Sequence, residues 1–196
     1  MATPSRQSQA RRLYGWFEDR PDVAAAIVYS AVALAAFVVA YVTIFTQFTP
    51  YDDEGTLLAT LRAFVEGDAL YKDVFSPYGP FYYEVFGGLF ALTGWSVSTD
   101  ASRLIVVVIW VATSGLYGLA AHRLTGRLAL GVSAMIVSFA VLGALVGEPM
   151  HPHGLATVLI AGFVLLAVMA PGRRVALGGA VAGALLAGVV LTKINL

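Results

Sequence analysis

The chain has 196 residues, 59% of them hydrophobic and 12% charged, against roughly 45–50% and 25% in a soluble domain. Twelve Lys and Arg balance twelve Asp and Glu, no cysteine occurs, and mean hydropathy is +0.79. These figures exclude disorder, a disulfide scaffold and nucleic-acid binding by bulk charge. An integral membrane protein remains.

Residues 1–22 form a polar tail holding Arg6, Arg11, Arg12 and Arg20. Val23–Thr46 follows without a charge. A bilayer core takes about 20 helical residues to cross, so this run is long enough. It also exceeds the h-region of a cleaved signal, about 7–15 residues, and reads as a retained anchor helix. Four more apolar runs follow: Ala101–Ala121, Leu128–Gly147, His153–Ala170 and Val175–Leu191. They are too long and too evenly apolar for barrel strands. The expected fold is all-α and integral to the membrane. It has about five transmembrane helices, plus one or two interfacial helices in a long first outside loop. The division is a cytoplasmic tail, 1–22, and a membrane domain, 23–196, with the loop at 47–100. In the last run, Gly179-x-x-x-Gly183 is the spacing that lets a neighbouring helix approach, or is general packing.

Charge placement sets the orientation, because cytoplasmic ends collect Lys and Arg. With the N-terminus inside, Arg6, Arg11, Arg12, Arg20, Arg123, Arg127, Arg173 and Arg174 fall inside. Arg62, Lys72, Arg103 and Lys193 fall outside, and most acids lie outside with them.

The outside loop opens on Asp52-Asp53-Glu54. Leu57, Leu58, Leu61, Phe64 and Val65 then recur at the spacing of one helical face. Gly67 can stop that helix. It is too short to span and is expected along the outer surface, its apolar face in the headgroup boundary. The acids sit where backbone N–H groups favour negative charge. One acid suffices for a cap. Three consecutive ones suggest a carboxylate cluster for proton abstraction or cation binding. After a Pro- and Gly-rich stretch, Phe81–Trp95 is a second short helix, rich in aromatics suited to the membrane boundary. Glu84 on it points either to the acids or to water. Near the fourth run, Glu148, His151 and His153 form a second polar turn. As a metal site the His-Pro-His spacing is poor, because Pro152 is expected to splay the rings. Beside an active site, these residues find the polar company they need at membrane depth. Lys72, Arg103 and Lys193 are either holders of a lipid phosphate or, for the last two, snorkelling anchors.

Together these residues resemble the N-terminal part of the glycosyltransferase-C superfamily. The branch is that of protein O-mannosyltransferases and bacterial lipid-linked-sugar transferases. There an Asp-Glu pair, a helix, a Gly and a Pro-Pro-Leu-Tyr-Tyr-like stretch precede an Arg opening the next span. Here the series reads Asp53-Glu54-Gly55, Gly67, Tyr78-Gly79-Pro80-Phe81-Tyr82-Tyr83 and Arg103. It covers about residues 51–127. The resemblance implies inverting transfer of a sugar from a polyprenyl-phosphate donor to an acceptor hydroxyl on a glycan, lipid or protein. The site would lie on the outer face of a bacterial plasma membrane. By position Asp53 resembles the catalytic base. Glu54 resembles its neighbour, which contacts the acceptor or a divalent cation in some members. Lys72, Tyr78, Arg103, Glu148, His151, His153 and Lys193 are the donor- and acceptor-binding candidates. The sequence departs from the pattern twice. Asp52 competes with Asp53 for the base role, and Ser76-Pro77-Tyr78 replaces a basic residue before the prolines.

The chemistry fits the residues independently. An acceptor alcohol needs a positioned carboxylate, and a departing phosphate is stabilised by Lys or Arg. Family members usually have eight or more spans, so the chain is expected to be the front part of a larger enzyme. The alternative is a non-catalytic multi-span module, such as part of a transporter. Transporters place ionisable groups near the midplane, whereas these spans are uncharged there.

Overall fold

The computed structural model describes residues 20–46, 53–143, 149–169 and 175–192. Among them every regular element is a helix. In chain order they are α1 (Pro21–Thr46), α2 (Glu54–Glu66), α3 (Pro80–Thr93), α4 (Thr99–Thr125), α5 (Leu128–Gly143), α6 (Pro152–Met169) and α7 (Val175–Thr192). Three of them, α1, α4 and α6, are long and apolar enough to cross a membrane. The chain is thus all-helical and of membrane type. The shorter apolar helices are Leu128–Gly143 and Gly178–Thr192.

The long helices run antiparallel to their chain neighbours. At one end of α1 the Ile44 carbonyl accepts from Arg103 at the start of α4, 3.3 Å. At its other end Tyr29 donates to the Gly118 carbonyl, 3.1 Å, and stacks on His122. α4 and α5 meet where Gly118 faces Gly131, too closely for a Cβ on either. Further along, Trp110 stacks on Phe139 at 4.4 Å and its Nε1 donates to the Phe139 carbonyl, 2.9 Å. α6 and α7 meet at Gly162 with Leu185 and at Leu159 with Gly188. Gly179 and Gly183, the pair singled out by spacing, face open space.

The ends of α1, α5 and α7 therefore gather with the starts of α4 and α6. Across this end lie α2 and α3. Gly67 ends α2 with φ 108°, a left-handed conformation that favours glycine. Pro80 opens α3 at its first position, where a missing N–H costs nothing. The expected helix over Phe81–Trp95 is thus shifted to Pro80–Thr93, because Gly94 in the left-handed region closes it.

The apolar face of α2 differs from the sequence expectation. Leu57, Leu58 and Leu61 are buried inside the protein, not offered to headgroups. α3 supplies the cover: Phe64 packs on Tyr83 with ring centroids 5.5 Å apart, and Gly87 admits the Phe64 ring. Tyr82, Tyr83, Phe86 and Phe90 join these leucines to Val107 and Trp110 in one core. Helical periodicity finds such a face but does not say whether lipid or protein covers it.

Candidate functional site

Two polar clusters lie at the gathered end. The first joins the start of α2 to the start of α4. Glu54 is buried, and its carboxylate takes both sides of one guanidinium. Arg103 Nη2 donates to Oε2 at 2.7 Å, and Nε reaches Oε1 at 3.0 Å and Oε2 at 3.2 Å. Ser102 Oγ lies 3.4 Å from Oε1 while donating to the Thr99 carbonyl at 2.7 Å. Such a fork-to-carboxylate pair fixes orientation as well as charge. Arg103 thus ties α1, α2 and α4 together.

Asp53 precedes this pair. It occupies the N-cap position of α2, yet its side chain makes no cap hydrogen bond. Its backbone carbonyl accepts from Leu57 N at 2.9 Å, and the residue is exposed. The helix therefore starts without using the Asp53 carboxylate, which stands at the surface beside a neutralised neighbour.

The second cluster joins the stretch before α3 to the turn before α6. Tyr78 Oη and His151 Nε2 are 3.2 Å apart, with the rings edge to face. His151 Nδ1 accepts from the His153 backbone N–H at 3.4 Å. The His151 and His153 rings lie 3.9 Å apart at 39°. This corrects the splayed rings expected from Pro152. Met150, with φ 62°, turns the chain back, and Pro152 opens α6, so both rings stay on one side. The two rings help line a small, partly open cavity of about 30 Å³, together with Trp110, Thr113 and Thr157.

Hydroxyls bind this cluster to the loop. Tyr83 donates to Ser76 Oγ at 2.7 Å, and Ser76 Oγ accepts from Tyr78 N at 3.0 Å. Tyr71 donates to the Tyr78 carbonyl at 2.7 Å. Tyr82, fully buried, has no partner for its hydroxyl. Burial pushes its phenol well above the usual value, and the neighbouring phenols of Tyr83 and Tyr78 add to this. The Gly79 N–H donates to the Thr192 carbonyl at 3.0 Å, so the end of α7 is part of the same assembly.

Sequence reasoning placed Asp53, Glu54, Tyr78, Arg103, His151 and His153 in one site. The structure pairs Glu54 with Arg103 and Tyr78 with His151, which lies against His153. Lys72 is exposed in the turn before α3. Glu84 is exposed. Asp52, Glu148 and Lys193 lie outside the described residues. Among the described residues no group of three His, Asp or Glu is placed to hold a metal ion. Tyr82 and Tyr83 stood in the sequence motif without an assigned role, and Ser76 and the Gly79 contact with Thr192 were not among the candidates; their signal is only the Pro- and Tyr-rich composition of residues 76–83. No family model, curated protein or solved structure matches the chain.

Proposed function

We propose that the chain is the membrane part of a glycosyltransferase. It moves a sugar from a polyprenyl-phosphate donor to an acceptor hydroxyl at the outer membrane face. The observation that carries this reading is the Glu54–Arg103 pair, 49 residues apart in sequence. It joins two separated parts of the glycosyltransferase-C-like motif beside an exposed carboxylate, Asp53. In the reaction, Asp53 or Asp52 takes the acceptor's hydroxyl proton. The acceptor oxygen bonds to the sugar's anomeric carbon, the bond from that carbon to the phosphate oxygen breaks, and the electron pair leaves with the lipid phosphate. Glu54 holds Arg103 and so shapes the start of α4. Lys72 and Lys193 are the cations assigned to the departing phosphate. Tyr78, His151, His153 and Glu148 are assigned to donor or acceptor binding.

In this reading all five apolar helices cross the bilayer. Helix α5 with its 16 residues is about 24 Å long, and the apolar sequence continues to Gly147. The gathered end faces outward, and Arg20, Arg123 and Arg127 face the cytoplasm.

The test is a transfer assay on the protein in its own membrane, with labelled polyprenyl-phosphate sugars. The expected result is acceptor-dependent release of polyprenyl phosphate, one per sugar transferred, with the anomeric configuration inverted. Absence of label transfer from every such donor, across hydroxyl acceptors, would overturn the reading.

A further inference from the structure

A second concave feature stands apart from both clusters. It is an open groove of about 560 Å³ between the last turns of α1 and the start of α4, lined by Tyr41, Phe45, Trp95, Ser98, Asp100 and Leu104. Its size falls in the range of small-molecule sites, roughly 300–1,000 Å³. Tyr41 and Phe45 stack with centroids 4.5 Å apart, and together with Leu104 they make the wall apolar. Trp95 and Tyr41 are about half exposed, 48% and 45%. The groove lies at the ends of two helices long and apolar enough to cross a membrane, where a span meets the headgroups.

Its polar features carry charge of a particular arrangement. Asp100 is exposed in the first turn of α4. Helix-dipole stabilisation accounts for an acid there, but not for the aromatic rings beside it. Ring faces and a carboxylate attract the same kind of group, a cation. Arg103, three residues on, is held by Glu54. Arg62 donates to the Val97 carbonyl at 2.8 Å, which brings a positive charge to the residue before Ser98. An acid and aromatic rings lining an apolar groove, with the Arg62 guanidinium bonded to the residue before the lining Ser98, complement a zwitterionic amphiphile.

We propose that this groove is a binding site for a membrane phospholipid with a phosphate–ammonium headgroup. The ammonium lies at Asp100 and the aromatic rings, and an acyl chain runs along Tyr41, Phe45 and Leu104. An anionic lipid lacks the ammonium and meets the Asp100 carboxylate.

The experiment reconstitutes the protein in vesicles of equal phosphatidylethanolamine and phosphatidylglycerol. It is then extracted in mild detergent, and retained lipid is counted by native mass spectrometry. The wild type is expected to retain the ethanolamine lipid about fivefold over the glycerol lipid, the scale of one exposed cation–aromatic contact. Asp100→Asn is expected to bring that ratio close to one while lipid is still retained. Ala101 lines the groove between Asp100 and Leu104, and Ala101→Phe, which narrows it, is expected to lower retention of both lipids. Far-ultraviolet circular dichroism establishes that each variant is folded. Equal retention of the two lipids by the wild type would overturn the proposal. So would a ratio unchanged in Asp100→Asn, or retention unchanged in folded Ala101→Phe.

Discussion

Glu54 and Arg103 each carry a charge taken largely out of water, with side-chain exposures of 7% and 18%. Removing one leaves the other without its partner at full desolvation cost, so Arg103→Ala is expected to lower stability by about 3 kcal/mol. Replacing both by leucine removes both charges, and the double variant is expected to recover most of that loss. Denaturant titrations of Arg103→Leu, Glu54→Leu and the double leucine variant measure the coupling. Strictly additive effects would mean that the pair is not a unit. Arg103→Lys is expected to fall between, since an ammonium cannot bridge both carboxylate oxygens in the same plane. Tyr82 gives the opposite sign. Its buried hydroxyl has no partner, so Tyr82→Phe is expected to raise stability by about 1 kcal/mol at neutral pH. The folded protein holds the Tyr82 proton tightly, whereas the unfolded phenol ionises near 10. The unfolded state thus binds fewer protons at high pH. Ionisation of this group therefore leaves stability unchanged below about pH 10 and lowers it as pH rises further. A shallower alkaline loss in Tyr82→Phe than in the wild type is the expected outcome of unfolding measured from pH 8 to 11.

Among the elements, what the sequence made legible depended on whether a local rule decided the outcome. The start of α3 at Pro80 and the ends of α2 and α3 at Gly67 and Gly94 follow from backbone preferences of those residues alone. The apolar runs became helices for the same reason, since length and periodicity are local. The cover on Leu57, Leu58 and Leu61 was not legible, because it depends on α3 crossing over α2. Nor was the partner of Glu54, which is chosen by how α4 packs. Close approach is likewise a tertiary fact: the spacing of Gly179 and Gly183 suggested a contact, and the contacts lie instead at Gly79, Gly118 and Gly131. A Cβ on Gly131 would meet the Tyr29 hydroxyl and His122; one on Gly79 would meet the Leu191 carbonyl. Gly131→Ala is therefore expected to force α4 and α5 apart and lower the thermal midpoint, whereas Gly179→Ala leaves it unchanged. Equal midpoints for the two variants, by thermal denaturation in detergent, would contradict the packing described here.

At the scale of the whole molecule the charges separate by end. Arg20, Arg123 and Arg127 lie with Asp22 and His122 at the end opposite the clusters, whereas Asp53, Glu54, Asp100, His151 and His153 lie at the gathered end with Arg62 and Arg103. The absence of native cysteine makes the proposed orientation directly testable. A cysteine at Asp68 is expected to react with a membrane-impermeant maleimide on intact cells. One at Thr125 is expected to react only after the membrane is opened. The reverse pattern would place the site on the cytoplasmic side. Carboxylate-assisted transfer at this end is read most directly from the transfer rate of Asp53→Asn, Asp52→Asn and the double variant in the native membrane. The account predicts a fall of about 100-fold or more in the double variant and in one of the singles. Transfer at the wild-type rate in all three would contradict it.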